Sequence, residues 1–375
     1  GITAETPDPD GGRIIRDSAG APTGVFIDNA TALITAHIPD TSLAKRVARY
    51  KAALAECNRL GLTGLHDAHI DSLDIAAYNT LADSGQLTLR VYGMLDSFSG
   101  SLVQRYFQSG PSVEAGGLLT IRSVKGYGDG ALGSRGAALL ESYTDEPGNT
   151  GLMVTHPDSL LKLAQLCVTH GFQFCIHAIG DRGVRESLNA FATALGADSV
   201  GDHRFRVEHA QVIALEDIPR FARLGVIPAV QPTHCTSDMY WAEQRLGPQR
   251  IHGAYAWRSL LDAGCRLPLG SDFPVENVNP LWGIYAAVTR QDHSGWPESG
   301  WYPGQRLTVE EAVRGFTSEA AYAAFDEANT GTLEVGKQAD ITLLKTDIFS
   351  TPAAMIRDTE TLATILAGHV VFRAQ

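Results

Sequence analysis

Short apolar runs alternate with longer amphipathic stretches through most of the chain. The runs are almost continuously apolar, a pattern typical of parallel strands that are covered on both faces. The seven predicted strands cover residues 62–66, 88–95, 121–127, 172–177, 205–209, 226–231 and 266–270. The predicted helices around and between them cover residues 41–60, 72–84, 159–170, 182–195, 213–224 and 255–263. Alternation of strand and helix at this spacing predicts an α/β fold with a parallel sheet.

Four polar side chains stand at or near the ends of predicted strands. They are Lys125, His177, His209 and Asp272, and a turn comes soon after each of them. A (β/α)8 barrel presents its catalytic groups in this way, at the C-terminal ends of its strands. The pattern therefore predicts a TIM-type barrel over residues 41–328, with a site at its C-terminal face.

The two ends of the chain depart from this pattern. Residues 1–40 are rich in glycine, proline and aspartate, so we predict an irregular excursion that lies as a lid over the barrel mouth. After a predicted helix over residues 308–325, glycine-rich turns precede two further strands. These predicted strands cover residues 339–344 and 364–372.

Composition narrows the class of protein. The chain has 375 residues, of which 44% are hydrophobic, so it can bury a sizeable core. Its net charge of −12 repels phosphate backbones, which argues against a nucleic-acid partner. No apolar run approaches the ~20 residues that span a bilayer and no signal peptide is visible, so no membrane partner is expected. The five cysteines form no C-x-x-C pair, and their odd number favours a reducing cytoplasm.

Several segments resemble, in chain order, the YtcJ-like or amidohydrolase-3 branch of the amidohydrolase superfamily, which includes N-substituted formamide deformylases. They are residues 61–67, 124–136, 177–182, 206–211, 231–234 and 270–276, with 331–340 near the C-terminus. The resemblance covers essentially the whole chain. It implies a metal-dependent hydrolase built on a (β/α)8 barrel, and it assigns residues 329–375 to a small β-sandwich that accompanies the barrel.

The resemblance also implies a role for each of the four side chains. His177 and His209 would bind a divalent metal, most often zinc, for which imidazole nitrogen is a good ligand. Lys125, once carboxylated by carbon dioxide, would bridge two metals, so the expected cofactor is one or two Zn²⁺ ions. Asp272 would contact the metal and its water, take a proton from that water and pass it to the leaving nitrogen.

One part of the family pattern is absent. The resemblance implies a His-x-His pair at the end of a first barrel strand, which would precede Gly1. His66 and His69 are the local candidates, but their spacing is His-x-x-His and they fall on the second strand, so they are not substitutes. We therefore expect that the first strand and part of the sandwich are missing from this chain, through truncation or because a separate chain supplies them.

Candidates for substrate binding lie in loops after predicted strands. Tyr127, Asp129 and Arg135 belong to the loop after the fourth strand, which would face the site. His234 follows the seventh strand, where it could donate a hydrogen bond to a substrate carbonyl. Each of these residues could instead have a structural role. For Lys125, the alternative to metal binding is an ion pair with Asp129 or another carboxylate. The expected partner is a small-molecule substrate, and the family alone suggests a homodimer.

Three hypotheses about function follow. The leading one is a metal-dependent hydrolase of a C–N bond, in an amide or an N-acyl or N-formyl group, with metal-activated water and Asp272 as the proton shuttle. The second is a deaminase of an amine or a heterocycle, with a single metal and no bridging lysine. The third is a barrel without catalytic activity that binds or regulates, which the absence of the first-strand histidines keeps open.

Overall fold

A parallel β-sheet is the centre of the fold. The computed structural model describes residues 1–39, 41–196 and 201–375. Its strands are β1 (Gly12–Arg16), β2 (Pro22–Asp28), β3 (Gly64–Ile70), β4 (Arg90–Asp96), β5 (Ser112–Glu114), β6 (Leu119–Tyr127), β7 (Gln173–Ala178), β8 (Arg206–His209), β9 (Ile227–Ala229), β10 (Ile341–Leu344), β11 (Thr361–Leu366) and β12 (His369–Arg373). Its α-helices are α1 (Ala32–Thr35), α2 (Leu43–Arg59), α3 (Ser72–Asp83), α4 (Gly100–Ser109), α5 (Pro157–His170), α6 (Asp181–Leu195), α7 (Ile218–Leu224), α8 (Pro232–Asp238), α9 (Ala242–Arg250), α10 (Trp257–Asp262), α11 (Pro280–Thr289), α12 (Val309–Phe316) and α13 (Ser318–Ala323). None of these helices, within the described ranges, is both long and apolar enough to cross a membrane.

Six strands of the central sheet run parallel, in the order β3-β4-β6-β7-β8-β9, and β5 pairs with β6 in the antiparallel sense. Helices α3, α5, α6 and α7 each connect one parallel strand to the next. The connection from β4 to β6 contains α4 and the short strand β5. Pairing in chain order with helical crossovers is the arrangement of a barrel wall. The predicted α/β class and the first six predicted strands are thus confirmed, with small shifts in their bounds.

The prediction of a seventh strand over residues 266–270 is wrong, because this segment forms only an isolated bridge. A single parallel bridge joins Leu269 to Val230, which follows β9. The Val230 N–H donates to the Pro268 carbonyl at 3.1 Å, but Pro268 has no N–H with which to continue the ladder. The segment therefore runs beside β9 without extending the sheet as a full strand, and it leads directly into Asp272.

The interior of the sheet's curve carries a layer of side chains below the site. Tyr92, Met94 and Cys175 form a small apolar cluster that is separate from the main core. Lys125 pairs in register with Cys175 on the neighbouring strand, and side chains two residues apart on a strand point to the same face. Lys125 and His177 therefore belong to the same interior face as Cys175.

The N-terminal segment forms an antiparallel hairpin of β1 and β2, which the sequence does not predict. The hairpin packs on the long loop after β6. The Asn29 side-chain amide donates to the Val154 carbonyl at 3.2 Å, and Arg13 pairs with Glu146 at 3.4 Å. This loop leaves the C-terminal end of β6, where a lid would lie, and the lid function stays a prediction. The predicted boundary at residue 40 falls outside the described residues.

The C-terminal segment forms a three-stranded antiparallel sheet in the order β10-β11-β12. The single strand predicted over residues 364–372 is wrong, because Ala367 and Gly368 adopt φ values of 48° and 82° and turn the chain into a hairpin. An ion pair of 2.7 Å between Arg90 and Asp340 joins this sheet to the start of β4. Its membership of a β-sandwich, like the missing first strand, stays a prediction.

Candidate metal centre

Three of the predicted metal ligands come together at the C-terminal edge of the parallel sheet. His177 lies near the end of β7, and His209 ends β8, where it stands beside Ala178 in the strand register. Asp272 follows the segment that runs beside β9. His209 and Asp272 have φ values of 75° and 57°. Such backbone conformations are uncommon outside glycine and cluster at functional sites.

The side chains of the site form one cluster. The ring centroids of His177 and His209 are 4.5 Å apart, and those of His209 and His234 are 5.7 Å apart. His234 Nε2 lies 3.4 Å from Asp272 Oδ2. One ligand atom each of His209, His234 and Asp272 lies within 4.8 Å of the other two. His234, which the sequence predicts to contact substrate, could therefore bind the same metal ion as the predicted ligands His209 and Asp272.

Neighbouring oxygens orient two of the imidazole rings. His209 Nδ1 is 2.9 Å from Gln231 Oε1. Because an amide oxygen only accepts hydrogen bonds, Nδ1 carries the proton and Nε2 keeps its lone pair. His177 Nε2 is 3.4 Å from the carbonyl oxygen of Gly130, which in the same way places the proton on Nε2 and leaves the lone pair on Nδ1. Histidines that bind a metal usually donate their other ring N–H to an oxygen in this way, which fixes the tautomer.

The three imidazoles are neutral near physiological pH. Burial lowers the pKa of His177 to about 3, with a further contribution from the charge of Lys125. Burial lowers the pKa of His234 to about 4, and it holds the pKa of His209 well below its usual range. Metal ligation requires neutral imidazole. Convergent lone pairs, neutral rings and an adjacent carboxylate therefore fit a divalent metal such as zinc.

We expect acid to destabilise the metal-free protein. In the unfolded chain the pKa of histidine is about 6.5, whereas in the folded chain the pKa of His177 is about 3 and that of His234 about 4. Between these values the unfolded chain binds more protons, so the free energy of unfolding falls as the pH decreases. The melting temperature of chelator-treated protein should decline from pH ~6.5 towards pH ~4. The decline should be shallower in His234→Gln. It should be unchanged in His156→Gln, because the ring of His156 is largely exposed. Equal dependence of the melting temperature on pH in native and His234→Gln protein would contradict a neutral, buried His234.

Lys125 is a buried amine below this cluster. Within the described part of the chain, neither a hydrogen bond nor an ion pair within 4.0 Å reaches its Nζ, so the alternative of a pair with Asp129 finds no support. The Tyr127 ring centroid is 5.8 Å from this atom. Burial lowers the pKa of Lys125, although the charge of Glu208 acts in the opposite direction. A lowered pKa raises the fraction of neutral amine, the form that reacts with carbon dioxide.

Asp129 and Arg135, predicted to contact substrate, are engaged elsewhere. Asp129 is buried, and its carboxylate accepts the backbone N–H groups of Ala138, Ile179 and Gly180 at 2.8–2.9 Å. It thereby fastens the loop after β6 to the start of α6. Arg135 donates to Asp145 at 2.9 Å. Their contact with substrate stays a prediction.

His66 and His69 do not join the cluster. His66 is half-buried on β3, with Nδ1 2.9 Å from an Arg206 guanidinium nitrogen. His69 lies half-exposed at the barrel mouth, where its Nδ1 is 2.6 Å from the Tyr127 hydroxyl. Neither is therefore a substitute for a first-strand ligand in this geometry, as the sequence predicts.

Gln231 belongs to the candidate site, although the sequence does not single it out within the segment 231–234. Its oxygen fixes the tautomer of His209. A signal was present, since Gln231 is a polar residue directly after the apolar run of β9, as His177 and His209 are at the ends of theirs. The same rule applied to every strand would have found it.

Comparison with known proteins agrees with this geometry. The sequence profile of the Amidohydrolase family matches residues 1–372. The chain belongs to the amidohydrolase family. The YtcJ protein of Bacillus subtilis, named as an amidohydrolase, is 34% identical over 381 residues, which cover 99% of this chain and 70% of that protein. The N-substituted formamide deformylase of Arthrobacter pascens is 25% identical over 98% of this chain and 68% of its own length.

A solved structure gives the same result for the fold. The crystal structure of an uncharacterized metal-dependent hydrolase from Pyrococcus horikoshii superposes with a TM-score of 0.75 and 25% identity. The match covers 86% of this chain and 64% of that one. This chain therefore spans about two thirds of the length of these three proteins.

Proposed function

We propose that this amidohydrolase hydrolyses a C–N bond in an amide, N-acyl or N-formyl compound with the help of one or two bound zinc ions. The observation that carries the proposal is the cluster of neutral His177, His209 and His234 beside the Asp272 carboxylate. The name of the formamide deformylase, a relative over nearly the whole chain, supports an N-formyl or N-acyl substrate.

Five side chains would hold the metal. His209, His234 and Asp272, whose ligand atoms lie within 4.8 Å of one another, would hold the first ion. His177, whose ring centroid is 4.5 Å from that of His209, would be a further ligand. Lys125, carboxylated on Nζ, would supply anionic oxygens for a second ion. A bound divalent metal supplies a polarised substrate carbonyl and a water with a pKa near ~7.

The chain's own groups would move the proton. The side chain of Asp272 is 38% exposed and lies 3.4 Å from the largely buried His234, so it is accessible both to solvent and to the ligand cluster. Burial raises the pKa of this carboxyl, and the charge of Lys125 opposes that shift. A raised pKa makes the carboxylate a stronger base, so Asp272 would take a proton from water and return it to the leaving nitrogen. His234, 3.4 Å from Asp272, would orient that carboxylate or donate to the substrate carbonyl. Gln231 would keep the ring of His209 in place.

A second candidate is a single-metal deaminase. The specific observation in its favour is that His209, His234 and Asp272 alone bring three ligand atoms within 4.8 Å of one another, without any part for Lys125. A deaminase would release ammonia from an amine or heterocycle, whereas the hydrolase would release a carboxylate such as formate.

The test is a metal-dependent assay on the full chain. Neutral N-alkyl and N-aryl formamides and acetamides are incubated with protein as purified, after exhaustive treatment with a chelator, and after zinc is restored. We expect release of formate or acetate that is lost with the metal and regained with zinc. Undiminished hydrolysis in the chelated protein would refute the proposal, and ammonia as the product of amines or heterocycles would favour the deaminase.

A further inference from the structure

Two stacked aromatic rings form an open surface beside the candidate metal centre. Phe98 lies two residues after β4, and Tyr127 is the last residue of β6. Their ring centroids are 5.3 Å apart and their planes differ by 5°. Phe98 is 63% exposed although a tyrosine covers one of its faces. The other face is therefore turned to solvent.

The surface is held in place on both sides. The Asp96 carboxylate accepts the N–H of Phe98 at 3.2 Å, and the N–H of Ser97 donates to the Lys125 carbonyl at 3.0 Å, which ties the loop to β6. The Tyr127 hydroxyl is fixed by His69 Nδ1 at 2.6 Å. An aromatic ring held in contact with water forgoes the free energy of burial. Such a ring is poised to gain that free energy when a ligand covers it.

The surface is continuous with the proposed reaction centre. The Tyr127 ring centroid is 6.4 Å from that of His177 and 5.8 Å from Lys125 Nζ. On another side of the centre, Phe273 directly follows Asp272 and is about half exposed. A substrate whose carbonyl lies at the cluster would thus have apolar surface within reach of its substituent.

The charge beside the rings is acidic. The Asp96 carboxylate lies directly behind the Phe98 backbone, 3.8 Å from His69. Lys125, next to Tyr127, is buried below the surface and would carry no positive charge once carboxylated. An anionic substituent would therefore lie close to Asp96, whereas a neutral ring would gain stacking without that repulsion.

We propose that Phe98 and Tyr127 form a subsite for a flat, uncharged aromatic substituent of the substrate. The inference rests on the proposed function for the identity of the reacting amide, and it makes the preferred substrates neutral aryl amides. The ring of the substrate extends the existing stack, because offset-stacked aromatic rings attract one another beyond the contribution of burial.

The test measures binding, so it does not depend on turnover. Dissociation constants of benzamide, cyclohexanecarboxamide and 4-carbamoylbenzoate are measured by calorimetry on the zinc-loaded full chain. We expect benzamide to bind about tenfold more tightly than the other two, roughly the sum of stacking and ring contact. Phe98→Ala should abolish the preference, and Phe98→Tyr should keep it. Phe349→Ala is the matched control, because Phe349 is 62% exposed and lies in the C-terminal segment after β10.

Each result decides between the alternatives. Equal affinities for benzamide and cyclohexanecarboxamide, or a preference that persists in Phe98→Ala, would overturn the subsite. If the preference is present and depends on Phe98 while no amide is hydrolysed, the subsite stands and the proposed function fails. Unchanged circular dichroism and melting temperature of Phe98→Ala show that a lost preference does not come from unfolding, and Phe98→Tyr keeps the proposal testable if the alanine variant is unstable.

Discussion

Replacing Asp272 by asparagine is expected to lower turnover about a thousandfold, the usual scale for a lost general base. Asparagine has nearly the same shape as aspartate but cannot accept a proton, so water would lose its base and the leaving nitrogen its acid. The fold should survive, since Asp272 lies at an exposed edge with φ 57°, a conformation that asparagine tolerates. The measurement is kcat on the amide that the assay identifies, with metal content determined on the same sample.

The pH profile separates a proton carrier from a structural residue. Burial raises the pKa of Asp272 in the folded protein, so activity should rise with pH as this carboxyl ionises. Asp272→Asn should lose that acidic limb, which a merely misfolded variant would keep at reduced amplitude. Asp262→Asn serves as the control, because this carboxylate is two-thirds exposed on α10 and should leave kcat unchanged. Activity of Asp272→Asn within a factor of about three of native would refute its role.

Replacing Lys125 by methionine is expected to remove one metal and reduce kcat/KM at least about a hundredfold, since even a group that only orients a ligand contributes 10–100-fold. Methionine matches the length of lysine without an amine that carbon dioxide could modify. The metal-free variant should also be more stable than metal-free native protein, because a buried cation without an ion-pair partner among the described residues is lost. Metal content, kinetics and melting temperature are measured together.

Chemical rescue distinguishes a metal bridge from a packing role. In Lys125→Ala the vacated space should admit formate or acetate, which can replace the carbamate oxygens and restore part of the activity. Lys345→Met is the control, because Lys345 is more than half exposed in the C-terminal segment and should have native metal content. Full turnover of Lys125→Ala without any added acid would instead favour the single-metal deaminase.

The sequence predicts the strand ends of this fold better than its irregular parts. Continuous apolar runs place Lys125, His177 and His209 correctly, because buried parallel strands leave a strong pattern and their C-terminal ends share one edge. The hairpin of β1 and β2 was missed because glycine and proline signals outweigh the short alternation around Ile14, which is buried beside exposed Arg13.

The sequence does not predict which side chains from different segments come into contact. The approach of His234 to His209 and Asp272 depends on how α8 leaves β9, and the stacking of Phe98 on Tyr127 depends on the parallel pairing of β4 with β6. A loop phenylalanine gives no pattern by itself. A helix was predicted over residues 308–325, but the backbone at Thr317 breaks it into α12 and α13.

Metal bound per chain is the most direct test of the central claim. Native protein and His209→Ala are purified without chelator in the presence of bicarbonate, and their metals are counted by plasma mass spectrometry. The account predicts about two equivalents of a divalent metal, chiefly zinc, in the native chain and a clear loss in the variant, because His209 would be a direct ligand. Native protein without metal, or equal metal content in the two proteins, would contradict it.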